Sequence, residues 1–161
     1  MSLVGKLLPL SHVLVDLQAS SKKRLFEQVG LLFENHDGIA KSVVFDSLLA
    51  RERLDSTGLG QGVAIPHGRI KGLKEALGAL VRLAQPVPFD APDGAAVELA
   101  FVLLVPEKAT EKHLQLLSEL AQMFCDKALR EAIRRAADAA EVHQLITAWQ
   151  PDASGQRRAA A

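Results

Sequence analysis

The nine-residue run Val97–Val105, with the sequence VELAFVLLV, constrains the fold more than any other feature of the chain. It is almost continuously apolar, and Pro106 follows it directly. A run of this kind is typical of a central β-strand that is covered on both faces. Covering both faces needs helices from elsewhere in the chain, so the run predicts an α/β arrangement.

Apolar residues at helical spacing supply those helices. The predicted helices span residues 21–36, 40–53, 111–125, 127–136 and 138–148, and Thr110 is the expected cap of the third. Two more strands are predicted over residues 62–65 and 77–83, and the turn-rich segment 86–94 predicts an edge loop or hairpin. Strands interleaved with helices indicate a single-domain α/β sandwich over residues 1–150, with a central sheet flanked by helices. The small, polar tail 151–161 is predicted to be disordered.

Composition argues against several functional classes. The 161 residues include 19 basic and 19 acidic side chains, and this zero net charge gives no support for a nucleic-acid-binding or anionic-membrane surface. No window approaches about 18 uninterrupted apolar residues, so no membrane span is expected. The N-terminus does not resemble a signal peptide. The single cysteine, Cys125, excludes an intramolecular disulfide and fits a cytoplasmic protein.

The stretch GLGQGVAIPHGR, which begins at Gly58, presents one histidine in a constrained setting. Its glycines permit positive φ and let backbone N–H groups approach a ligand. Pro66 favours an extended Ile65, so His67 follows the predicted strand in a loop with a stiff starting point. A turn with an incidental histidine is the alternative. The candidate groups that could donate hydrogen bonds to an anion are hydroxyls just before this stretch and backbone N–H groups within it: Ser56, Thr57, Gly58, Gly60, Gly62 and Gly68.

His113 and Arg51 are the predicted partners of His67. With Thr110 as the cap, His113 lies in the first turn of its helix and begins the apolar stripe, so we expect it to face the interior. Ligand sites in α/β sheets cluster at the carboxyl ends of strands, so the two histidines are expected to meet at one end of the sheet. The planar guanidinium of Arg51 suits phosphate oxygens. The set indicates either a phosphorylated nucleophile or half of a metal site.

The remaining candidates have simpler explanations. His36 lies in the last turn of a helix, where a cation is favourable, and His143 is explained by helix packing. His12 has no partner pattern near it. Arg53 and Arg69 are alternatives to Arg51 for the phosphate contact.

Together these blocks resemble the fructose/mannitol-type enzyme IIA domains of the bacterial phosphotransferase system, and most of all its nitrogen-regulatory branch. The first block comprises Arg51-Glu52, residues 56–60 (STGLG) and residues 62–68 (GVAIPHG), and the second comprises residues 103–106 (LLVP) and 113–117 (HLQLL). The spacings from Arg51 to His67 (67 − 51 = 16) and from His67 to His113 (113 − 67 = 46) fit the family pattern. The resemblance covers about residues 8 to 149.

The resemblance implies a central mixed sheet, phosphorylation of His67, an active-site role for His113 and a contribution of Arg51 to the anion site. It also implies a phosphohistidine donor on a small HPr-like carrier protein. The regulated targets of family members include potassium-transport and sensor-kinase components. The sequence offers no carboxylate cluster suited to Mg²⁺ near the motif, so no metal or other cofactor is predicted.

Two alternatives to a regulatory phosphoryl carrier stay open. One is a sugar-uptake IIA component that passes phosphate to a IIB domain. The other is a metal- or anion-binding module built on His67 and His113.

Overall fold

The computed structural model describes residues 3–108 and 110–150 of the chain. Two short 3₁₀ turns at the N-terminus precede a succession of strands and helices. In chain order these are β1 (Val13–Leu17), α1 (Lys22–Asp37), α2 (Lys41–Leu54), β2 (Gly58–Gly60), β3 (Val63–Ala64), β4 (His67–Ile70), β5 (Leu77–Val87), β6 (Val97–Pro106), α3 (Glu111–Phe124), α4 (Lys127–Arg135) and α5 (Ala139–Ala148).

The six strands of the described ranges form one mixed sheet in the order β1-β5-β6-β3-β2, and β4 also pairs with β6. β5 and β6 are antiparallel, whereas β3 and β4 both run parallel to β6. β3 and β4 therefore follow one another along the same side of β6, separated by only Ile65 and Pro66. This interruption places His67 at the first position of β4.

β6 is buried on both faces, as its sequence predicts. From Leu99 onward its side chains alternate between two hydrophobic cores: Leu99, Phe101, Leu103 and Val105 lie in one, and Ala100, Val102 and Leu104 lie in the other, which also includes Val97. The first core includes residues of α3, α4 and α5, and the second includes residues of α1 and α2. The prediction of a central mixed sheet flanked by helices is confirmed.

Local signals explain where the helices begin and end. The side chain of Ser21 accepts a hydrogen bond from the backbone N–H of Arg24 at 3.1 Å and caps α1. Gly38 ends that helix with φ of +71°, a conformation that glycine adopts without strain. The five predicted helices are all present, with bounds within two residues of those expected.

Strand bounds differ more from the predictions. β1, β2 and β4 were not predicted, and β5 continues through Pro86 to Val87 instead of ending at Leu83. The pairing of β5 with β6 shifts register between Arg82 and Val87, and a proline is tolerated at such an irregularity. Residues 88–96 then join β5 to β6 as the predicted hairpin connection. The predicted disorder of residues 151–161 falls outside the described residues, and the domain bounds remain a prediction.

Candidate functional site

His67 begins a strand, which corrects the expectation that it lies in a loop. It is half-buried, and its ring nitrogen Nδ1 lies 2.9 Å from the carbonyl oxygen of Ile65. A carbonyl oxygen can only accept, so Nδ1 carries the hydrogen and donates it. In the neutral ring, Nε2 then carries an unshared electron pair. The described residues offer no hydrogen-bond partner to Nε2, so the fold presents this nitrogen as a free nucleophile.

The electrostatic setting keeps this ring neutral. Burial lowers the pKa of His67 below its ordinary value of 6.5, and the positive charge of Arg51 lowers it further. The hydrogen bond to Ile65 and the carboxylate of Glu52 act in the opposite direction. The net shift is downward, so the electron pair on Nε2 is available at neutral pH.

Close packing of β4 against α2 brings Arg51 toward His67. A Cβ on Gly68 would clash with Oγ of Ser47 and press on the Ser47 backbone, so glycine permits this close approach of strand to helix. The Ser47 hydroxyl donates to the carbonyl of Arg69 at 2.9 Å and ties the two elements together. Arg51 follows Ser47 by one helical turn, on the same face of α2. Gly68 therefore serves packing; it also lines the cleft that contains His67 and Arg51, and its anion-binding role stays a prediction.

Arg51 is the arginine best placed for an anion beside His67. Its Nη1 donates to the carbonyl oxygen of Asp55 at 2.8 Å, which holds the guanidinium over the end of α2. Its other N–H groups have no partner among the described residues. Arg69 is exposed and lines a cleft that also contains His67 and Arg51, whereas Arg53 is exposed and lines no cleft next to His67.

His113 occupies the third position of α3, and its ring closes the start of that helix. Its Nδ1 accepts a hydrogen bond from the backbone N–H of Thr110 at 2.9 Å. This is the reciprocal half of a capping box, with histidine in the place where glutamate or glutamine is usual. Because Nδ1 accepts, Nε2 carries the hydrogen in the neutral ring. The half-buried ring thus offers an N–H donor to its surroundings.

His67, His113 and Arg51 line one cleft of about 480 Å³, called the main cleft below. A smaller side cleft of about 200 Å³ lies against His67 and Arg51 on the α2–β2 side. Three exposed leucines border the two clefts: the exposed fraction is 81% for Leu54, 65% for Leu114 and 43% for Leu59. A nucleophile and two donors therefore lie within an apolar rim.

Ser56, Thr57 and Gly58 line the side cleft, but their polar groups are already engaged. The Ser56 hydroxyl donates to the carbonyl of Phe89 at 2.5 Å and accepts from the N–H of Gly58 at 3.1 Å. The hydroxyl and the N–H of Thr57 both donate to the carboxylate of Glu52, at 2.5 and 3.1 Å. These hydrogen bonds do not favour the prediction that the three residues donate hydrogen bonds to a phosphate group. They fix the loop beside His67.

Gly60 and Gly62 line neither cleft, and the structure does not bring them to the site. They flank Gln61 in a turn in which all three residues have positive φ, namely +91°, +60° and +79°. Asp93 accepts from the N–H of Gln61 at 2.9 Å, and Arg134 donates to the carbonyl oxygen of Gln61 at 2.8 Å. The two glycines are explained by this β2–β3 turn.

Sequence reasoning named Glu52 only within the Arg51-Glu52 motif and missed that its side chain is buried, with 7% exposed. Its carboxylate accepts from Nζ of Lys22 at 3.0 Å as well as from Thr57. Val44, Leu48 and Glu52 are spaced four residues apart on α2, and all three are buried. That spacing is the signal that could have identified a buried carboxylate directly after Arg51.

The other histidines have structural partners. The buried ring of His12 lies with Nε2 2.7 Å from Asp37, and Nε2 of His143 donates to the carbonyl of Leu8 at 2.9 Å. His36 lies in the last turn of α1, as predicted. Within residues 3–108 and 110–150, no group of three or more His, Cys, Asp or Glu side chains could hold a metal ion. No helix in that part of the chain is long and apolar enough to cross a membrane.

Comparison with known proteins identifies the family. Residues 6–149 match the family described as the phosphoenolpyruvate-dependent sugar phosphotransferase system, EIIA 2. The chain belongs to this EIIA family. The family is one of phosphotransferases, so a transferase role in the phosphotransferase system follows for this EIIA chain.

Individual relatives refine the position of this EIIA chain. It is 44% identical over 134 residues to the nitrogen regulatory protein of Pseudomonas aeruginosa, covering 83% of this chain and 87% of that protein. The crystal structure of nitrogen regulatory protein IIA-Ntr from Neisseria meningitidis is 54% identical, has a TM-score of 0.85, and covers 91% of this chain and 100% of that one. IIA mannitol from Escherichia coli is 19% identical with a TM-score of 0.71, covering 86% and 97% of the two chains, and shares the fold.

Proposed function

We propose that the protein is a regulatory phosphoryl carrier, in which Nε2 of His67 accepts a phosphoryl group from a phosphohistidine on a small HPr-like carrier protein. One observation carries the proposal: the Ile65 carbonyl holds the proton of His67 on Nδ1, so the free nitrogen is Nε2. Partners for phosphate oxygens, His113 and Arg51, line the same cleft as that ring. The lowered pKa of His67 keeps the nucleophile unprotonated.

Transfer needs little covalent chemistry from the protein. A bond forms between Nε2 of His67 and phosphorus while the donor's nitrogen–phosphorus bond breaks, and the departing imidazole keeps that electron pair. The accepting ring becomes more positive, and the bond from Nδ1–H to the Ile65 carbonyl stabilises that charge. The N–H of His113 and the guanidinium of Arg51 are the groups that would neutralise the equatorial phosphate oxygens.

The apolar rim supports a protein donor. Leu54, Leu59 and Leu114 expose apolar area around His67, and such a patch on a protein surface is typical of a docking site. Regulation is favoured over sugar uptake because the relatives of P. aeruginosa and N. meningitidis carry the name nitrogen regulatory protein. Potassium-transport and sensor-kinase components are the proposed kinds of target.

Sugar uptake, with transfer of the phosphate to a IIB domain, is the second candidate. Enzyme IIAMTL of E. coli shares the fold, and its structure is described in complex with phosphorylated enzyme IIBMTL. The metal-module alternative lacks a third ligand among the described residues.

The test is transfer from a phosphorylated HPr-like carrier, followed by intact-protein mass and by the acid lability of the product. His67→Ala should abolish phosphorylation, while His36→Ala, which removes an exposed histidine of α1, should leave it unchanged. Phosphorylation of the His67→Ala variant would refute the proposal. Passage of the phosphate from the wild-type protein to a IIB domain would favour uptake over regulation.

A further inference from the structure

A second cleft, called the lysine cleft below, lies on the other side of His113. Its volume is about 510 Å³, within the range of small-molecule sites. Three lysines from different parts of the chain converge on it: Lys6 from the first 3₁₀ turn, Lys74 from the segment before β5, and Lys112 from the first turn of α3. Tertiary folding, and not a local run of charge, brings these three cations together.

The charges of the lysine cleft are unbalanced. Lys6, Lys74 and Lys112 are all exposed, and none forms an ion pair within residues 3–108 and 110–150. Glu75 is the one carboxylate in the lining, so three positive charges face one negative charge. Because the whole chain has no net charge, this local excess of cations is a property of the cleft.

The remaining lining of the lysine cleft is largely apolar. Leu3, Leu7 and Ala76 are partly buried against the core, and Leu116 is 3% exposed. A site of this kind pairs charged contacts with an apolar surface for the rest of a ligand. Lysine ammonium groups bind phosphate as point charges.

We propose that the lysine cleft binds a small phosphorylated organic molecule with an apolar or aromatic portion. The phosphate groups contact the three lysines, and the apolar portion lies against Leu3, Leu7 and Leu116. The size and concavity of the cleft favour a small molecule over an acidic peptide.

The direct test uses the unphosphorylated full chain and ADP as the probe, with backbone amide shifts followed by NMR at physiological ionic strength. Saturable shifts are expected at Lys6, Lys74 and Lys112. Pyrophosphate and adenosine, which carry the two halves of the probe separately, should each bind more weakly than ADP. Lys74→Gln and Lys112→Gln should each weaken ADP binding about fivefold, as expected for one exposed charge contact.

The matched control is Lys71→Gln, which removes an exposed lysine that does not line the cleft. An equal loss of affinity in this control would overturn the proposal, because it would reveal a general charge effect. Absence of saturable shifts, shifts centred on the main cleft, or saturation by an acidic peptide but not by ADP would also overturn it.

His113 lines both the lysine cleft and the main cleft. If His67 is phosphorylated as proposed above, a ligand in the lysine cleft contacts a group that also faces the phosphate. We therefore expect ADP to change the rate of phosphoryl transfer in the wild-type protein and not in the Lys74→Gln/Lys112→Gln double variant. The NMR experiment needs no phosphoryl transfer, so failure of the proposed function leaves the binding test intact. An equal effect of ADP on both proteins would refute the coupling.

Discussion

The carbonyl oxygen of Ile65 lies 2.9 Å from Nδ1 of His67 and fixes which nitrogen of that ring is free. Ile65 belongs to the two-residue break between β3 and β4, so its carbonyl is not needed by the neighbouring strand at that point. His67 itself pairs with Leu103 of β6. The tautomer of His67 is therefore determined by a backbone carbonyl next to the sheet, and no second side chain is required to orient the ring.

The first prediction concerns pH. Because burial and Arg51 lower the pKa of His67, phosphate acceptance should reach half its maximum at a pH below the ordinary value of 6.5. Transfer rates over a pH series with the donor in excess, together with NMR titration of the ring, measure this. A midpoint at or above the ordinary value would contradict it.

The same shift has a consequence for stability. As pH falls through the ordinary value of 6.5, the unfolded chain binds a proton before folded His67 does, so the stability contribution is lost toward acid. His67→Gln should therefore unfold with a shallower dependence on acid than the wild-type protein, and His36→Gln is the control.

The second prediction separates the chemistry of His113 from its role as a cap. Glutamate at this position can still accept from the N–H of Thr110, whereas alanine cannot, and neither residue carries an N–H donor in its side chain. We expect His113→Ala to lose about 1 kcal/mol of stability and His113→Glu to lose little. Both should slow transfer by about 10²-fold, because both remove the N–H donor. Normal transfer in His113→Glu would show that the ring acts only through helix capping.

The third prediction concerns the guanidinium. Arg51→Lys keeps a positive charge but loses the planar fork, so transfer should slow about tenfold without a change in folding. Arg53→Lys is the matched control, since Arg53 is in the same helical turn, is exposed and lines neither cleft. Equal rates for the Arg51 variant and the wild-type protein would move the anion contact to Arg69, which lines the main cleft.

The fourth prediction concerns the buried carboxylate of Glu52. Glu52→Gln removes the nearer of the two carboxylates that pair with Lys22, so only the exposed Asp90, at 4.0 Å, is left, and it also removes an acceptor from Thr57. The side chain of Lys22 is 19% exposed, so we expect a loss of about 2–3 kcal/mol rather than the full cost of a deeply buried pair. Urea unfolding measures the change, and Lys22→Met in the same background should recover part of it. A loss below about 0.5 kcal/mol would show that water replaces the missing contacts.

Sequence patterns predicted those parts of the structure in which a residue pattern occurs mainly in one structural context. The apolar run of β6 and the capped, periodic helices are of this kind, and the structure also brings His67, His113 and Arg51 to one cleft. Glycine is different, because the same residue serves a turn at Gly60, close packing at Gly68 or an anion site. Only the neighbours in space, such as Asp93 and Ser47, distinguish these uses.

Two other features depend on partners distant in sequence. β1 is a short strand that pairs in parallel with β5, more than 60 residues away, since Val13 pairs with Leu80. No local turn signal announces such a partner. Glu52 is followed by an arginine and preceded by one, a pattern typical of a solvated helix end. Its burial depends on Lys22, which lies 30 residues earlier.

His67 lies on β4, where it pairs with the central strand β6, and this position affects how a partner could recognise phosphorylation of His67. Its backbone is held by β6, so a phosphoryl group on Nε2 can change the surface without moving the sheet. That group would bring roughly two negative charges into a border formed by Leu54, Leu59 and Leu114. A partner that packs against these three leucines in the unphosphorylated protein would have to desolvate the doubly charged phosphoryl group in order to bind the phosphorylated form, and that desolvation costs free energy. The phosphorylated and unphosphorylated proteins would then have the same backbone shape. A partner would distinguish them by the water bound at His67.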